Sequence, residues 1–399
     1  MPDQALTYAA YKAAFAHLAK PFAYLDLDLL EHNRKFALQL AASKKIRIAS
    51  KSIRSAGILR HLLDSDPTFI GLMTFTGEET LFLAEQGFDD LLLGYPIWNV
   101  DAITALARLV KDGRLITLMV DSEEHLAHIE RMAQQADVQM PVCIDLDLSS
   151  DFGKLHFGVW RSPVRSVMAA VELAQRIAAS PYLVLDGIMG YEAQIAGVGD
   201  HNPTTLVKNK IIRFMKKRSI AEFTHKRAEL IHILHQKGIY PRFVNGGGSG
   251  SLTSTTLEDV VTEVTVGSGF YAPALFDNYQ DVRFEPAAGY AIEIVRKPRA
   301  DTYTCLGGGY TASGSCAPDK LPKVHLPQGA KLTNLEGAGE VQTPIVYQGD
   351  ERLELGDPIF MRHSKAGELC ERFTELHGYS QGKVVQVFPT YRGQGRCFL

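Results

Sequence analysis

The chain has 399 residues, 46% hydrophobic and 22% charged, with 42 Lys and Arg against 45 Asp and Glu for a formal net charge of −3. That balance is typical of a globular protein with one large domain and a smaller one, and it lacks the basic excess that a nucleic-acid or anionic-membrane partner would require. No run reaches the roughly 18 apolar residues of a membrane span, and five scattered cysteines without a Cys-x-x-Cys pair point to reduced thiols in a cytoplasmic protein.

In chain order, the opening twenty residues form an amphipathic helix without the compact apolar core of a signal peptide. PFAYLDLDLLEHN is a strand followed by a helix start, and IRIASKS is the next strand. A regular alternation follows, in which continuous apolar runs of strand length are separated by helices of helical period. Counted from IRIAS, the strands begin near residues 46, 69, 91, 115, 141, 183, 242 and 262, with one long helix or two shorter ones over 205–237. Eight strands separated by helices over about 220 residues predict an α/β fold, a (β/α)8 TIM-type barrel. An open doubly wound sheet is the alternative, but no GxGxxG follows the first strand. From about Asp281 the segments become short, β-rich and divided by Gly and Pro, with helical period only over 366–376. The expected division is therefore a barrel over residues 1–280 and a C-terminal β-domain over 281–399, with residues 1–28 packing against the β-domain.

Barrel chemistry belongs at the C-terminal ends of the strands. There the sequence places Lys51, Thr74, Tyr95, Asp121, Asp147 with its loop to His156, Tyr191 with Glu192 and Gln194, Asn245–Ser251 and Gly267–Tyr271. Lys51 in IRIASKSIR has two readings. A strand-end lysine is ordinarily solvated, but a desolvated one deprotonates readily and condenses with an aldehyde. NGGGSGS (Asn245, Gly246, Gly247, Gly248, Ser249, Gly250, Ser251) and VGSGFY (with Gly267 and Ser268) follow the last two strands, where barrels commonly hold phosphate. Tyr191 in MGYEAQ is either a stacking ring for a planar ligand or a rim tyrosine. His156 is a ligand contact or an ordinary loop histidine. RHSKAGELCERF offers His363, Lys365, Glu368 and Cys370 as acid/base groups or metal ligands, at a spacing that matches no zinc signature.

Together, RIASKSIRS, HFGVWRSP, GYEAQ, NGGGSGS and EVTVGSGFY, in this order and over nearly the whole chain, resemble the alanine-racemase-like (fold type III) pyridoxal phosphate enzymes. The nearest branch is that of D-threonine aldolase and D-serine dehydratase, including the amino acid deaminase/aldolase group. The resemblance implies that Lys51 carries pyridoxal 5'-phosphate as an internal aldimine. Asn245, Gly247, Gly248, Ser249, Gly267 and Ser268 would bind its phosphate, and Tyr191 would lie near its ring. His156 stands where many relatives have an arginine directed at the cofactor's phenolic oxygen. Relatives also carry a divalent metal on a His-x-Asp or His-x-Cys pair, whereas this chain reads His363-Ser-Lys365, which leaves the metal open. The implied activity is that of a lyase on a D-type β-hydroxy amino acid, by aldol cleavage or dehydration and deamination, with His363 at the substrate hydroxyl and a homodimer as the assembly. Three alternatives remain at this level: a racemase or epimerase using Tyr290, Tyr303 or Tyr310 as second base, a non-catalytic pyridoxal phosphate carrier, and a phosphosugar barrel enzyme without pyridoxal phosphate.

Overall fold

The computed structural model describes residues 7–309, 320–365 and 367–399. Cys316, Tyr310 and residue 366, which figure in the sequence reading, lie outside them. A first strand, β1 (Phe22–Asp26), precedes the barrel strands β2 (Lys45–Ala49), β3 (Phe69–Thr74), β4 (Leu91–Leu93), β5 (Ile116–Val120) and β6 (Met140–Asp145). A two-strand hairpin, β7 (Ser150–Phe152) with β8 (Leu155–Phe157), interrupts the rhythm before β9 (Leu183–Gly190), β10 (Phe243–Gly246) and β11 (Glu263–Val266). Strands β2 to β6 and β9 to β11 form a closed eight-stranded parallel barrel, sealed where β11 meets β2 with Val264 opposite Ile46 and Val266 opposite Ile48.

The helices between these strands start where the sequence supplies an acceptor for their free N–H groups. Asn99, Ser122 and Ser166 cap theirs from the side chain. Thr76 accepts from the Glu79 N–H at 3.1 Å while Glu79 Oε2 accepts from the Phe75 N–H at 2.8 Å, a reciprocal arrangement of the capping-box kind. The 205–237 region is one helix, Leu206–Gln236.

Inside the barrel, Leu92, Met119, Cys143, Met189 and Phe243 form a separate apolar layer beneath Met73 and Tyr191. Below that layer Arg47 is fully buried. Its Nε and Nη2 donate to the Glu263 carboxylate at 2.7 and 3.0 Å, and Nη1 donates to the Asp90 carbonyl at 2.7 Å. Arg242 extends the network by donating to Asp186 at 2.8 and 2.7 Å. The barrel is thus a packed core with an ionic base.

The C-terminal region contributes β12 (Ala288–Arg299), β13 (Thr302–Leu306), β14 (Lys323–Leu326), β15 (Lys331–Leu332), β16 (Gln342–Val346), β17 (Pro358–Arg362), β18 (Glu375–Ser380) and β19 (Lys383–Pro389). β1 lies between β12, antiparallel, and β18, parallel, so the N-terminal strand belongs to this sheet. This region also grips the segment that carries Lys51. Ser55 Oγ donates to the Pro389 carbonyl at 2.8 Å and the Tyr391 N–H to the Arg54 carbonyl at 2.8 Å, while from the barrel's own last loop Tyr271 Oη donates to the Ile53 carbonyl at 3.1 Å. Arg54 pairs with Glu371 at 2.5 Å.

Candidate active site

The C-terminal end of the barrel opens into a cavity of about 110 Å³. The polypeptide leaves β2 in a short 3-10 turn, Ser50–Ser52, pinned by Ser50 Oγ donating to the Met73 carbonyl at 3.0 Å. Lys51 therefore projects from just beyond the strand into the cavity, where its Nζ donates to Tyr95 Oη at 2.6 Å. No carboxylate pairs with Lys51 among the described residues, so this amine is held by a phenol and left accessible.

Opposite, the two glycine loops meet. Ser249 Oγ accepts from the Gly267 N–H at 3.3 Å and the Gly269 N–H at 2.9 Å, which ties the loop after β10 to the loop after β11. Gly247 has φ +84, a left-handed conformation that favours glycine. A Cβ on Gly248 would come within 3.0 Å of the Tyr191 ring, and one on Gly267 within 2.8 Å of Ala49 and Ser52. Asn245, Gly247, Gly248, Ser249, Gly267 and Ser268 all line the cavity. Most of their polar groups are already engaged, the Gly267 N–H by Ser249 as above. The Asn245 amide donates to Glu263 at 2.8 Å and accepts from Thr265 at 3.0 Å, and the Gly247 N–H donates to Glu192 Oε2 at 2.8 Å. Glu192 is clasped by Arg227, whose Nη1 also donates to Glu258 at 2.6 Å; all three side chains are buried. This buried triad shapes the loop; the Gly248 N–H is likewise spent on Ser251 Oγ at 3.0 Å, so an anionic ligand there is left to the hydroxyls of Ser249 and Ser268.

The walls carry groups that the sequence reading passed over. Asp145, at the end of β6, faces the cavity, and burial together with the neighbouring Asp121 pushes its carboxyl up to about 7, against the pull of Arg161. Arg161 lies with its guanidinium 5.9 Å from the Tyr95 ring centroid and 5.5 Å from that of Tyr191. Burial raises the Tyr191 hydroxyl to about 12, again with Arg161 opposing. Asp147 also lines the cavity but is occupied, accepting from Ser149 Oγ at 2.7 Å and pairing with Arg165 at 3.1 Å.

Two of the expected site residues are not brought into the cavity. The β7–β8 register sets His156 opposite Asp151, to which its Nδ1 is bonded at 2.9 Å, and its ring stacks on Trp160 at 3.9 Å. Arg161, five residues on, stands on the cavity wall instead. His363 follows β17, is 1% exposed, and neither ring nitrogen has a hydrogen-bond partner among the described residues. Burial, with Arg362 adjacent, lowers it to about 3, so the ring is neutral. The residues around it are engaged elsewhere: Glu368 Oε1 accepts the Ser364 and Lys365 N–H groups at 2.8 and 3.2 Å, and Cys370 Sγ donates to the Ile53 carbonyl at 3.3 Å. Among the described residues no group of three or more His, Cys, Asp or Glu side chains is arranged to hold a metal ion. Of the tyrosines considered as second base, Tyr290 is fully buried and donates to the Gly308 carbonyl at 2.9 Å, and Tyr303 is buried.

Signals for the overlooked residues were weak. Asp145 stands two residues before the strand-end candidate Asp147 in IDLDL, so it shares that inward face, and Arg161 looked like any loop arginine until the hairpin folded. Among the described residues no helix is long and apolar enough to cross a membrane.

Residues 25–274 match the family described as alanine racemase, N-terminal domain. The chain is 24% identical over 389 residues to the 3-hydroxy-D-aspartate aldolase of Paracoccus denitrificans (strain Pd 1222), covering 95% of this chain and 94% of that protein. The D-threonine aldolase structure from Filomicrobium marinum superposes with a TM-score of 0.78 at 19% identity, covering 96% of this chain and 97% of that one. The D-threo-3-hydroxyaspartate dehydratase structure from Delftia sp. HT23 follows with a TM-score of 0.73 at 15% identity, covering 94% of this chain and 98% of that one.

Proposed function

Because the chain belongs to the alanine racemase N-terminal domain family, we propose that it is a pyridoxal phosphate-dependent lyase acting on a D-configured β-hydroxy amino acid, by aldol cleavage or dehydration. The observation that carries this reading is the Lys51 amine, projecting into the cavity opposite two joined glycine loops. Relatives named as aldolases and a dehydratase of hydroxylated D-amino acids support it. The donor set suits the cofactor, with an amine for its aldehyde at one end and, at the other, the hydroxyls of Ser249 and Ser268 beside Gly248 and Gly267, where a Cβ would crowd Tyr191 and Ala49.

When bound, pyridoxal phosphate supplies an electron sink for charge developing at the substrate α-carbon. The protein's own groups do the rest. Ser249 and Ser268 hold the phosphate end, while the Glu192–Arg227 pair keeps the Gly247 turn in shape beneath them. Tyr95 orients Lys51, whose amine carries the cofactor and then moves the proton at the α-carbon. Tyr191 bounds the planar ring, and Asp145 exchanges the proton of the β-hydroxyl. We assign residues 1–280 to the barrel domain and 281–399 to the β-domain, and take the assembly to be a homodimer in a reducing cytosol. The four described cysteines, all free, support that compartment.

The test is direct. Protein supplied with the cofactor should absorb near about 420 nm, a band set by the cofactor's conjugation to an amine, and Lys51→Ala should lose it. With D-threonine or D-serine, released glycine or 2-oxo acid identifies cleavage or dehydration. A protein that cannot be loaded and stays colourless would end the proposal, and inversion of D-alanine without cleavage would turn it toward a racemase.

A further inference from the structure

Each turnover of the proposed lyase leaves Asp145 with one proton too many or too few. In aldol cleavage the Cα–Cβ bond breaks, the β-hydroxyl proton passes to the Asp145 carboxylate, and the α-carbon takes a proton from the Lys51 amine. In dehydration the Lys51 amine takes the α-proton and Asp145 gives its own to the departing hydroxyl. Asp145 has to exchange that proton with solvent before the next substrate, yet it faces the cavity that cofactor and substrate fill. The wall behind it offers another way out. Met119 on β5 and Cys143 on β6 are opposite each other in the register, and both belong to the apolar layer inside the barrel. Strand side chains alternate between faces, so two residues on Asp121 and Asp145 also point inward, side by side on strands about 4.8 Å apart. Asp121 is itself buried, and its carboxylate meets His125 Nδ1 at 2.8 Å. His125 lies in the first turn of the helix Glu123–Ala136, is half-buried, and has its ring 6.0 Å from that of the exposed Trp98.

The other charges near these groups are placed differently. Asp145 also feels Asp147 and Arg161 from the loop that follows it, and Lys51, Tyr95 and Tyr191 share its cavity from the ends of β2, β4 and β9. Asp147 is taken up by Ser149 and Arg165. Around His125, Glu124 is exposed and Arg131 is turned to His128 Nδ1 at 3.0 Å. Asp121 alone stands between Asp145 and an imidazole, and two carboxyls so placed share a proton rather than ionise together. We propose that Asp121 and His125 form a proton relay that joins the Asp145 carboxyl to solvent beside Trp98, so that exchange does not wait for the cavity to empty. The proton passes from Asp145 to the Asp121 carboxylate, from Asp121 Oδ1 to His125 Nδ1, and from the ring to water; in dehydration it travels inward by the same steps. This rests on the lyase reading and on Asp145 as the group at the β-hydroxyl. Asp121 and His125 do not touch the substrate; both act through Asp145.

The experiment follows consumption of D-threonine and D-serine by the holoenzyme, with and without imidazole as an added proton carrier. His125→Ala should lower kcat by about tenfold or more, with KM changed by less than about twofold, because proton exchange is lost and binding is not. Imidazole should restore kcat in that variant and leave the wild type unchanged. Asp121→Asn keeps the shape but carries no proton, so it should lower kcat similarly and resist imidazole. A second readout needs neither cofactor nor turnover. An infrared titration of the Asp145 carboxyl, identified by its absence in Asp145→Asn, should give a lower inflection in Asp121→Asn, since a neighbouring negative charge is gone. A kcat unmoved by His125→Ala, a loss that imidazole does not restore, or an Asp145 inflection unmoved by Asp121→Asn overturns this inference and leaves the lyase standing. Wild-type protein that consumes neither amino acid, with its visible spectrum unchanged on adding them, overturns the lyase reading and the relay together.

Discussion

The two ends of the barrel use the same kinds of charged side chain in opposite circumstances. At the N-terminal end Arg47 is fully enclosed and bonded to Glu263 and Asp90, while Arg242 joins Asp90 to Asp186. At the C-terminal end, among the described residues, Lys51 holds only a phenol, Arg161 only aromatic faces, and Asp145 no hydrogen bond to its carboxyl. A closed ionic network repays its own desolvation and leaves nothing for a ligand. Open charges around a cavity are tolerated because a bound molecule completes them, which is why perturbed groups collect at such places. The difference therefore locates function more sharply than residue type does.

Substitutions at the two ends should separate activity from stability. The largest effect is expected at Lys51. On the proposed function, Lys51→Ala should lower turnover by about 10³-fold or more, since it would remove the cofactor's anchor and a proton carrier together. Its thermal midpoint without cofactor should stay near the wild type, because the amine has no ion pair to lose among the described residues. Arg47→Met should show the reverse. It strands a buried Glu263 carboxylate, and removing one partner of such a pair costs about 3–5 kcal/mol, readable as a lower denaturant midpoint. If Arg47→Met instead weakened substrate affinity at unchanged stability, the contrast between the ends would fail. Glu192→Gln lies between these cases. It keeps an acceptor for the Gly247 N–H but loses the negative charge that pairs with Arg227, and each such bond is worth about 1–3 kcal/mol. Cofactor affinity should fall measurably in a fluorescence titration while the fold persists; an unchanged dissociation constant would reduce the triad to core structure.

This contrast also explains what could be seen in the sequence. Barrel strands announce themselves as apolar runs, and all eight begin within a residue or so of where the pattern places them. Lys51 and the loops at Asn245–Ser251 and Gly267–Ser268 were legible because a strand ends immediately before each. His156 misled because the β7–β8 hairpin is decided by cross-strand pairing with Asp151 and stacking on Trp160. Such tertiary choices leave no period to count. The same holds for Arg227, which comes from the middle of a 31-residue helix to brace a loop beyond it. His363 misled differently: its place between sheet and barrel buries it, and burial of an imidazole cannot be read from one residue beside a strand.

The finest effect concerns pH. Asp145 titrates near 7 in the folded protein, and the charges acting on it are Asp121 and Asp147, which raise it, and Arg161, which lowers it. Its folded value lies above the ordinary carboxyl value of 3.8. Its contribution to stability is therefore complete below the unfolded value and is lost as pH rises through about 7. Activity should move the other way, because only the ionised carboxyl accepts a proton from the β-hydroxyl, so kcat/KM for cleavage should rise across that interval. Asp145→Asn should remove the rise and make the protein more stable than the wild type above pH 7. Glu79 and Glu258 also titrate near 7, but Glu79 accepts from Tyr391 at 2.9 Å and Glu258 pairs with Arg227, both away from the cavity. Glu79→Gln should accordingly keep the inflection. If the inflection survived in Asp145→Asn and vanished in Glu79→Gln, the proton at the hydroxyl would belong to neither the cavity wall nor this mechanism, and the open end of the barrel would have to be reassigned from the barrel–sheet contact inward.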